Sequence, residues 1–179
     1  MFYLETPRLV ITEFTPDMAQ AVHENSLDED NRRFLPDEVF ETVEEAAETL
    51  AFLMEQYETM EGPLVCPVLL REGTNIGYVQ AVPLEDGTRE IGYHIGKKYT
   101  GKGYATEAVK AFLPVVMDRL GICSIRGICA AENHASRRVM EKCGFDREYE
   151  GPGIYHGARR EICRYCFPGK PETEGEKQP

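Results

Sequence analysis

From Met1 to Glu61 the chain has no lysine and only three arginines, Arg8, Arg32 and Arg33, against sixteen aspartates and glutamates. Over all 179 residues the net charge is −11. Phosphate backbones are bound by basic surface, so this shortage of cations argues against a nucleic-acid partner. No stretch is apolar for long enough to cross a bilayer, and the opening Met1-Phe2-Tyr3-Leu4-Glu5 lacks the basic n-region of a secretory leader. A cytoplasmic protein with no membrane partner is expected. Cysteine is present six times, at 66, 123, 129, 143, 163 and 166, but Cys163-Arg164-Tyr165-Cys166 has no second cysteine pair or histidine pair to complete a zinc site. Residues three apart in a β-run point to opposite faces. All six thiols sit in apolar, element-like segments, where cysteine behaves as a small hydrophobe, so no metal site is expected. No internal repeat is present.

A chain of this length fits one domain with a sizeable core. Arg8 to Phe14 reads as a short strand, and Thr15-Pro16-Asp17 as the N-cap and first turn of a helix. Asn25 to Pro36 is polar and reads as irregular. Thr42 with Glu45 three residues on forms a capping-box signature, and the apolar face beyond it predicts a helix to about Met60. Strands are predicted over 64–70 (with Pro67 marking an edge or a bulge), 75–83 and 89–96. Ala105, Ala108, Val109, Phe112, Val116 and Leu120 recur at helical spacing, with Pro114 predicting a kink or a shortened helix and Gly121 a C-cap. Residues 124–130 read as a strand, and Asn133 caps a helix that ends at Gly144. Two closing strands, 145–150 and 159–167, flank a turn at Gly151-Pro152-Gly153. The segment 168–179 has no aliphatic residue and is expected to be a disordered tail to a domain spanning 4–167.

The informative unit is the loop from Tyr99 to Glu107, between a strand and a helix. Gly101 and Gly103 allow a tight turn and close approach to an oxygen. The N–H groups of 101–106 at the helix start form a nest for an anion, reinforced by the helix dipole. Small Ala105 lets the helix start lie against a ligand, and Lys102 can add a charge. This chemistry suits a pyrophosphate, although a loop with two glycines is also an ordinary turn. It is neither a Walker A loop, which needs Gly-Lys-Ser/Thr, nor a Rossmann fingerprint, because Thr106 stands where the third glycine would fall.

Gly101-Lys102-Gly103-Tyr104-Ala105-Thr106-Glu107-Ala108, with Asn133-His134-Ala135-Ser136-Arg137-Arg138 and Lys142-Cys143-Gly144-Phe145 after it, resembles the GNAT superfamily of N-acetyltransferases. It is most similar to the branch of ribosomal-protein-alanine N-acetyltransferases, and Leu4-Glu5-Thr6-Pro7-Arg8-Leu9 resembles the opening of that branch. The resemblance implies an α/β (α+β) GNAT fold: a mostly antiparallel mixed sheet flanked by helices on both faces. It implies acetyl-CoA as cosubstrate and an amine acceptor, either a small molecule or a protein N-terminus. The alternative is a catalytically silent acyl-CoA-binding sensor. The family's loop begins with Gln or Arg where this chain has Thr100, so a contact made by that long side chain is lost. By resemblance the backbone of Tyr93, His94 and Ile95 pairs with the pantetheine arm, and Asn133 and Ser136 lie along it. Arg137, Arg138 or Lys142 meets either the outer phosphate or solvent.

Acetyl transfer requires a base to take a proton from the ammonium and a donor for the oxyanion. Glu90 and His94 are the candidate bases, on one strand with the same side-chain parity. Many family members carry a tyrosine acid where this chain has Met140, which leaves Ser136, Tyr149 and Tyr155 as weaker candidates. The acidic front half favours a cationic acceptor. Either a monomer or a homodimer is compatible with the sequence.

Overall fold

The computed structural model describes residues 1–168. An eight-stranded sheet is ordered β1-β2-β3-β4-β5-β6-β8-β7, with β1 Leu4–Glu5, β2 Leu9–Ile11, β3 Leu64–Leu70, β4 Asn75–Pro83, β5 Arg89–Ile95, β6 Ser124–Ala130, β7 Asp146–Tyr155 and β8 Ala158–Pro168. Every neighbouring pair is antiparallel except β5 and β6. Helices α1 Ala19–Ser26, α2 Glu29–Phe34 and α3 Val43–Thr59 precede the central strands, α4 Tyr104–Leu120 crosses from β5 to β6, and α5 His134–Lys142 comes after β6.

The period-two pattern of β3 builds both faces. Leu64, Cys66 and Val68 join the large core formed with Ala108, Val109, Phe112, Leu113 and Val116 of α4. Val65 turns to the other face, where Leu50 and Leu53 of α3 pack with Phe14 and Ala19. The sheet is therefore mixed, mostly antiparallel and covered by helices on both faces. Thr42 caps α3 with the full reciprocal box: its side chain accepts from Glu45 N, and the Glu45 carboxylate accepts from Thr42 N. Among the described residues, no helix is long and apolar enough to cross a membrane.

Several local expectations are corrected. Residues 25–36 are not irregular. Asp28 caps α2 by accepting from Asn31 N at 2.8 Å, and acids in the first turn with arginines in the last suit the helix dipole. The helix is short and buries only Asn31, so no apolar period announces it. Thr15 opens a 3-10 turn, Pro16–Met18, rather than α1 itself, and its side chain makes no cap bond. The 8–14 strand is confined to Leu9–Ile11. Pro67 lies in an interior strand, but pairing with β2 stops at Val68, so its missing N–H is not needed, and a register shift lies just beyond, between Val68 and Leu69. Helix α4 runs through Pro114, which is exposed, so water can serve the carbonyl its ring deprives.

Gly151-Pro152-Gly153 is inside β7, not a turn. β7 is the sheet edge, where a proline costs no ladder bond. The hairpin turns instead at His156 and Gly157, both with positive φ (48° and 68°) as a two-residue turn requires. Cys123 is exposed rather than packed in an element, and all six thiols are free. Pro168, expected in the tail, pairs with Ser124 at the end of β8, and the rest of that expected tail lies outside the described residues.

Replacing Thr42 by alanine removes one half of the box. Thr42→Ala is expected to lower stability by about 1 kcal/mol, measured as a lower urea midpoint at unchanged slope.

Candidate active site

β5 pairs with β4 along its whole length, from Arg89 to Ile95. It pairs with β6 only at Glu90–Arg126 and Ile91–Gly127. Beyond Ile91 the parallel strands diverge, and among the described residues one backbone edge of β5 has no strand partner. Met140 of α5, fully buried, fills the apex of this opening. A Cβ on Gly127 would lie 2.6 Å from its sulfur and 3.4 Å from Ile91, so the glycine makes room for it. Tyr93 spans the opening, its hydroxyl 2.9 Å from both the carbonyl and the hydroxyl oxygen of Ser136 on α5. Burial pushes the Tyr93 phenol well above its usual range.

The loop between β5 and α4 closes one end of the opening. A 3-10 turn, Lys97–Tyr99, leads into Thr100, whose hydroxyl donates to Lys97 O at 2.8 Å. Gly101 and Gly103 have φ of +78° and +80°, the left-handed region that favours glycine. Gly103 is the N-cap of α4 and no side chain caps that first turn, so its opening N–H groups and the dipole are available to an anion. The result is a groove of about 600 Å³. Of the residues singled out from the sequence, Tyr93, His94, Ile95, Thr100, Gly101, Gly103, Tyr104, Ala105, Thr106, Asn133 and Ser136 line it. Five do not: Lys102, Arg137, Glu90, Tyr149 and Tyr155. The Lys102 side chain is exposed outside the groove. Arg137 turns onto Ala131 O (3.0 Å) and the Glu150 carboxylate (3.3 Å), and Arg138 and Lys142 take the groove side of α5 instead. Asn133 spends its side-chain oxygen on Ser136 N at 3.1 Å, capping α5.

The N-terminal strand region braces the loop. Arg8 donates from its guanidinium to Lys102 O at 2.8 Å and to the Glu107 carboxylate at 2.6 Å, and lies over the Tyr104 ring at 4.6 Å. Thr6 donates to Glu107 at 2.6 Å. Burial pushes the Glu107 carboxyl up, but these donors outweigh it and hold it below its usual range. Thr6 and Arg8 belong to the family-like opening of the chain, while their role depends on a partner a hundred residues away.

On the opposite side of β5 a second cavity, about 220 Å³, lies beneath α1 and α3. His94 lines both this cavity and the groove. Its Nε2 is 3.2 Å from Asp28 Oδ2, with the two side chains only 10% and 16% exposed, so solvent screens the pair weakly. Burial opposes ionisation of Asp28, yet the bonds from His94 and Asn31 N hold its carboxyl below the usual range. Glu38, in the 3-10 turn Pro36–Glu38, also lines the cavity. One carboxylate oxygen accepts from Gln80 at 3.0 Å. Burial pushes its carboxyl up.

Glu90 lies on the same face of β5 as His94 but lines neither space. Burial, then the charge of Glu38, pushes its carboxyl up to about 7. Tyr155 feels Glu90 and is itself raised by burial. The hairpin tip reaches this region, with His156 Nδ1 2.7 Å from Asp37 Oδ2. Tyr149 is turned away, donating to Pro152 O on the edge strand. Asp28, Glu38 and Arg8 were missed as site residues. The Asp28 N-cap spacing could have found α2, whereas nothing local marks Glu38 among so many acids.

A family model described as "Acetyltransferase (GNAT) domain" matches residues 8–146. The chain is 34% identical over 148 residues to the uncharacterized N-acetyltransferase YnaD of Bacillus subtilis, covering 82% of this chain and 84% of that one. A GNAT-family acetyltransferase from Bacillus anthracis superposes with a TM-score of 0.80 at 29% identity, over 93% of this chain and 98% of that one. The ribosomal alpha-N-protein acetyltransferase RimL, solved with coenzyme A, shares the fold with a TM-score of 0.80 at 16% identity, over 94% and 98%.

Two outcomes test this geometry. Arg8→Ala is expected to weaken acetyl-CoA binding roughly three- to tenfold, about 1 kcal/mol, by calorimetry, because the loop loses its brace. Glu90 has a folded pKa of about 7 against an ordinary 4.5, so the folded state holds its proton more tightly and stability falls as pH rises from 4.5 to 7. Glu90→Gln should therefore melt higher than the parent at pH 8, by the equivalent of roughly 1–3 kcal/mol, with the difference vanishing near pH 4.

Proposed function

The chain belongs to the GNAT acetyltransferase family, and from that membership we propose how its groove and cavity divide the work of acetyl transfer. The enzyme is an acetyl-CoA-dependent N-acetyltransferase that takes an amine acceptor. In the proposed arrangement the N–H groups of 101–106 hold the pyrophosphate, the free edge of β5 at Tyr93 to Ile95 pairs with the pantetheine arm, and the thioester comes to rest beside His94. Asn31, a groove-lining residue, adds an amide oxygen that is buried and, among the described residues, without a partner, suited to accept an N–H from the same arm. Arg138 and Lys142, rather than Arg137, are placed for the outer phosphate.

The acceptor enters from the opposite cavity. The observation that carries this is His94, the residue common to both spaces. With Nε2–H donated to Asp28, the lone pair at Nδ1 is left to take the proton that an ammonium must lose before its nitrogen can attack. The amine nitrogen then bonds to the acetyl carbon, the carbonyl electrons pass to oxygen, and their return breaks the C–S bond. The imidazolium supplies a proton to the departing thiolate, and the ring, neutral again, takes the second proton from the acylated nitrogen and passes it to solvent. Asp28 offsets the charge on the ring while it holds that proton. Much of the acceleration comes from holding amine and thioester together across one strand.

Asp37 and Glu38 in the cavity lining, with Asp28 of the groove beside His94, favour an acceptor that arrives as a cation. A ribosomal-protein N-terminus, which the name of RimL indicates for that enzyme, is one such amine. Both spaces are built from one chain, so one protomer suffices for catalysis. Six free thiols suit the reducing cytoplasm, and the net charge of −11 disfavours nucleic acid.

Calorimetry with acetyl-CoA and thiol release on a panel of amines test the assignment. His94→Ala is expected to lower kcat about a hundredfold or more while leaving the acetyl-CoA dissociation constant within roughly threefold. An unchanged kcat would remove His94 from the proton path.

A further inference from the structure

Glu38 is held by two side chains, Asn31 and Gln80. Asn31 Nδ2 donates to its carbonyl at 3.1 Å and to Ser26 O at 2.9 Å, and Gln80 Nε2 takes one side-chain oxygen. The second oxygen, Oε2, has no exposed surface and, among the described residues, no hydrogen-bond partner. The hydroxyl of Tyr78, a residue that lines the cavity, is also buried without one. Two unpartnered polar atoms on lining residues of one cavity are costly unless something partners them, since each orphaned group forfeits the hydrogen bond it makes in water.

The rest of the lining is of another kind. Phe14, Val22, Phe40, Leu50, Leu53 and Val65 make the side remote from β5 apolar. The cavity of about 220 Å³ has room for roughly seven to eleven non-hydrogen atoms at the roughly 20–30 Å³ each occupies. Asp37, the other carboxylate of the lining, already faces His156 and is 72% exposed, so it offers little to a second cation deep inside.

We infer that this cavity is the acceptor subsite for a small primary monoamine with an apolar body, whose ammonium pairs with Glu38 while the body lies against α1 and α3. This rests on the reading that the acceptor meets the thioester past His94, and it narrows the substrate class within it. Glu38 is a specificity-determining residue: it holds the nitrogen next to His94, and the apolar wall sets the length of the carbon skeleton attached to that nitrogen. A polyamine would drive a second charge into Phe14, Leu50 and Val65 with no anion to receive it. A very short amine would leave the wall dry and unfilled. Burial already resists ionisation of Glu38, and an arriving cation restores the charged form.

The test uses the full chain and thiol release at saturating acetyl-CoA with 2-phenylethylamine, ethylamine, spermidine and an alanine-headed peptide. The expected result is a kcat/KM for 2-phenylethylamine at least roughly tenfold above the other three. Glu38→Gln should raise KM for 2-phenylethylamine at least roughly tenfold, with kcat within about threefold and the acetyl-CoA dissociation constant unchanged. Inhibition by uncharged 2-phenylethanol should be equal in the two proteins, because the alcohol has no charge to lose, and equal inhibition also shows that the variant keeps its cavity. Preference for spermidine or the peptide, or an unchanged KM in Glu38→Gln, overturns the inference while acetyl transfer stands. Failure of the parent chain to bind acetyl-CoA overturns both.

Discussion

β5 can satisfy its backbone on both sides only as far as Ile91, and the separation from β6 beyond that point is the constraint on which the site depends. A sheet that stayed paired would leave no slot for an extended ligand, and the first turn of α4 would face a closed ladder. The divergence is held open by packing. Met140 occupies the apex against Gly127 and Ile91, and the Tyr93 hydroxyl ties β5 to Ser136 on α5. An unpaired strand edge is ordinarily a liability. Here it is enclosed in a groove capped by the 101–106 loop and crossed by α2, whose Arg33 reaches Glu132 at 2.7 Å.

The two sides of β5 differ in electrostatic character. On the groove side stand uncapped N–H groups at the start of α4, with Arg33, Lys97, Arg138 and Lys142 against Asp28, Asp30 and Glu132. On the cavity side stand Glu38 and, behind it, Glu90, both pushed up by burial. The anionic donor substrate suits the first side, and the proposal of a cationic acceptor rests on the second. His94 is the residue that lines both spaces. The partition explains why the acidic front half is more than solvated surface: Asp28, Asp37 and Glu38 come from that half and converge on the site, while most of the acids on α3 face water.

The long elements were legible in the sequence because one physical signal determined each of them. The capping box of Thr42 and Glu45, the apolar period of α4 and the three central strands needed no tertiary information. α2 was not legible, because six residues that bury one asparagine have no period to detect. The closing hairpin was misplaced because Gly-Pro-Gly is a turn signal that an edge strand tolerates, while His156 adopts a positive φ that its residue type advertises less than glycine does. The groove lining was largely readable from one loop and one helix start. Arg137 was not, since which side of a short helix an arginine faces depends on Glu150, supplied by β7.

Contacts that join distant segments organise both spaces, and local patterns cannot show them. Thr6 and Arg8 secure the loop through Glu107 and Lys102, so the first strands of the chain set the shape of a site whose recognisable motif lies near residue 103. Asn31 acts likewise on the other side. Its amide ties Ser26 to Glu38 and so fixes the carboxylate that faces the cavity, while Asp28, three residues earlier, uses one oxygen to cap α2 and the other to hold His94. A single six-residue helix therefore sets both the imidazole and the carboxylate. Loss of the Asp28 cap would release them together, so the two groups are coupled through the backbone of α2 even where they do not touch.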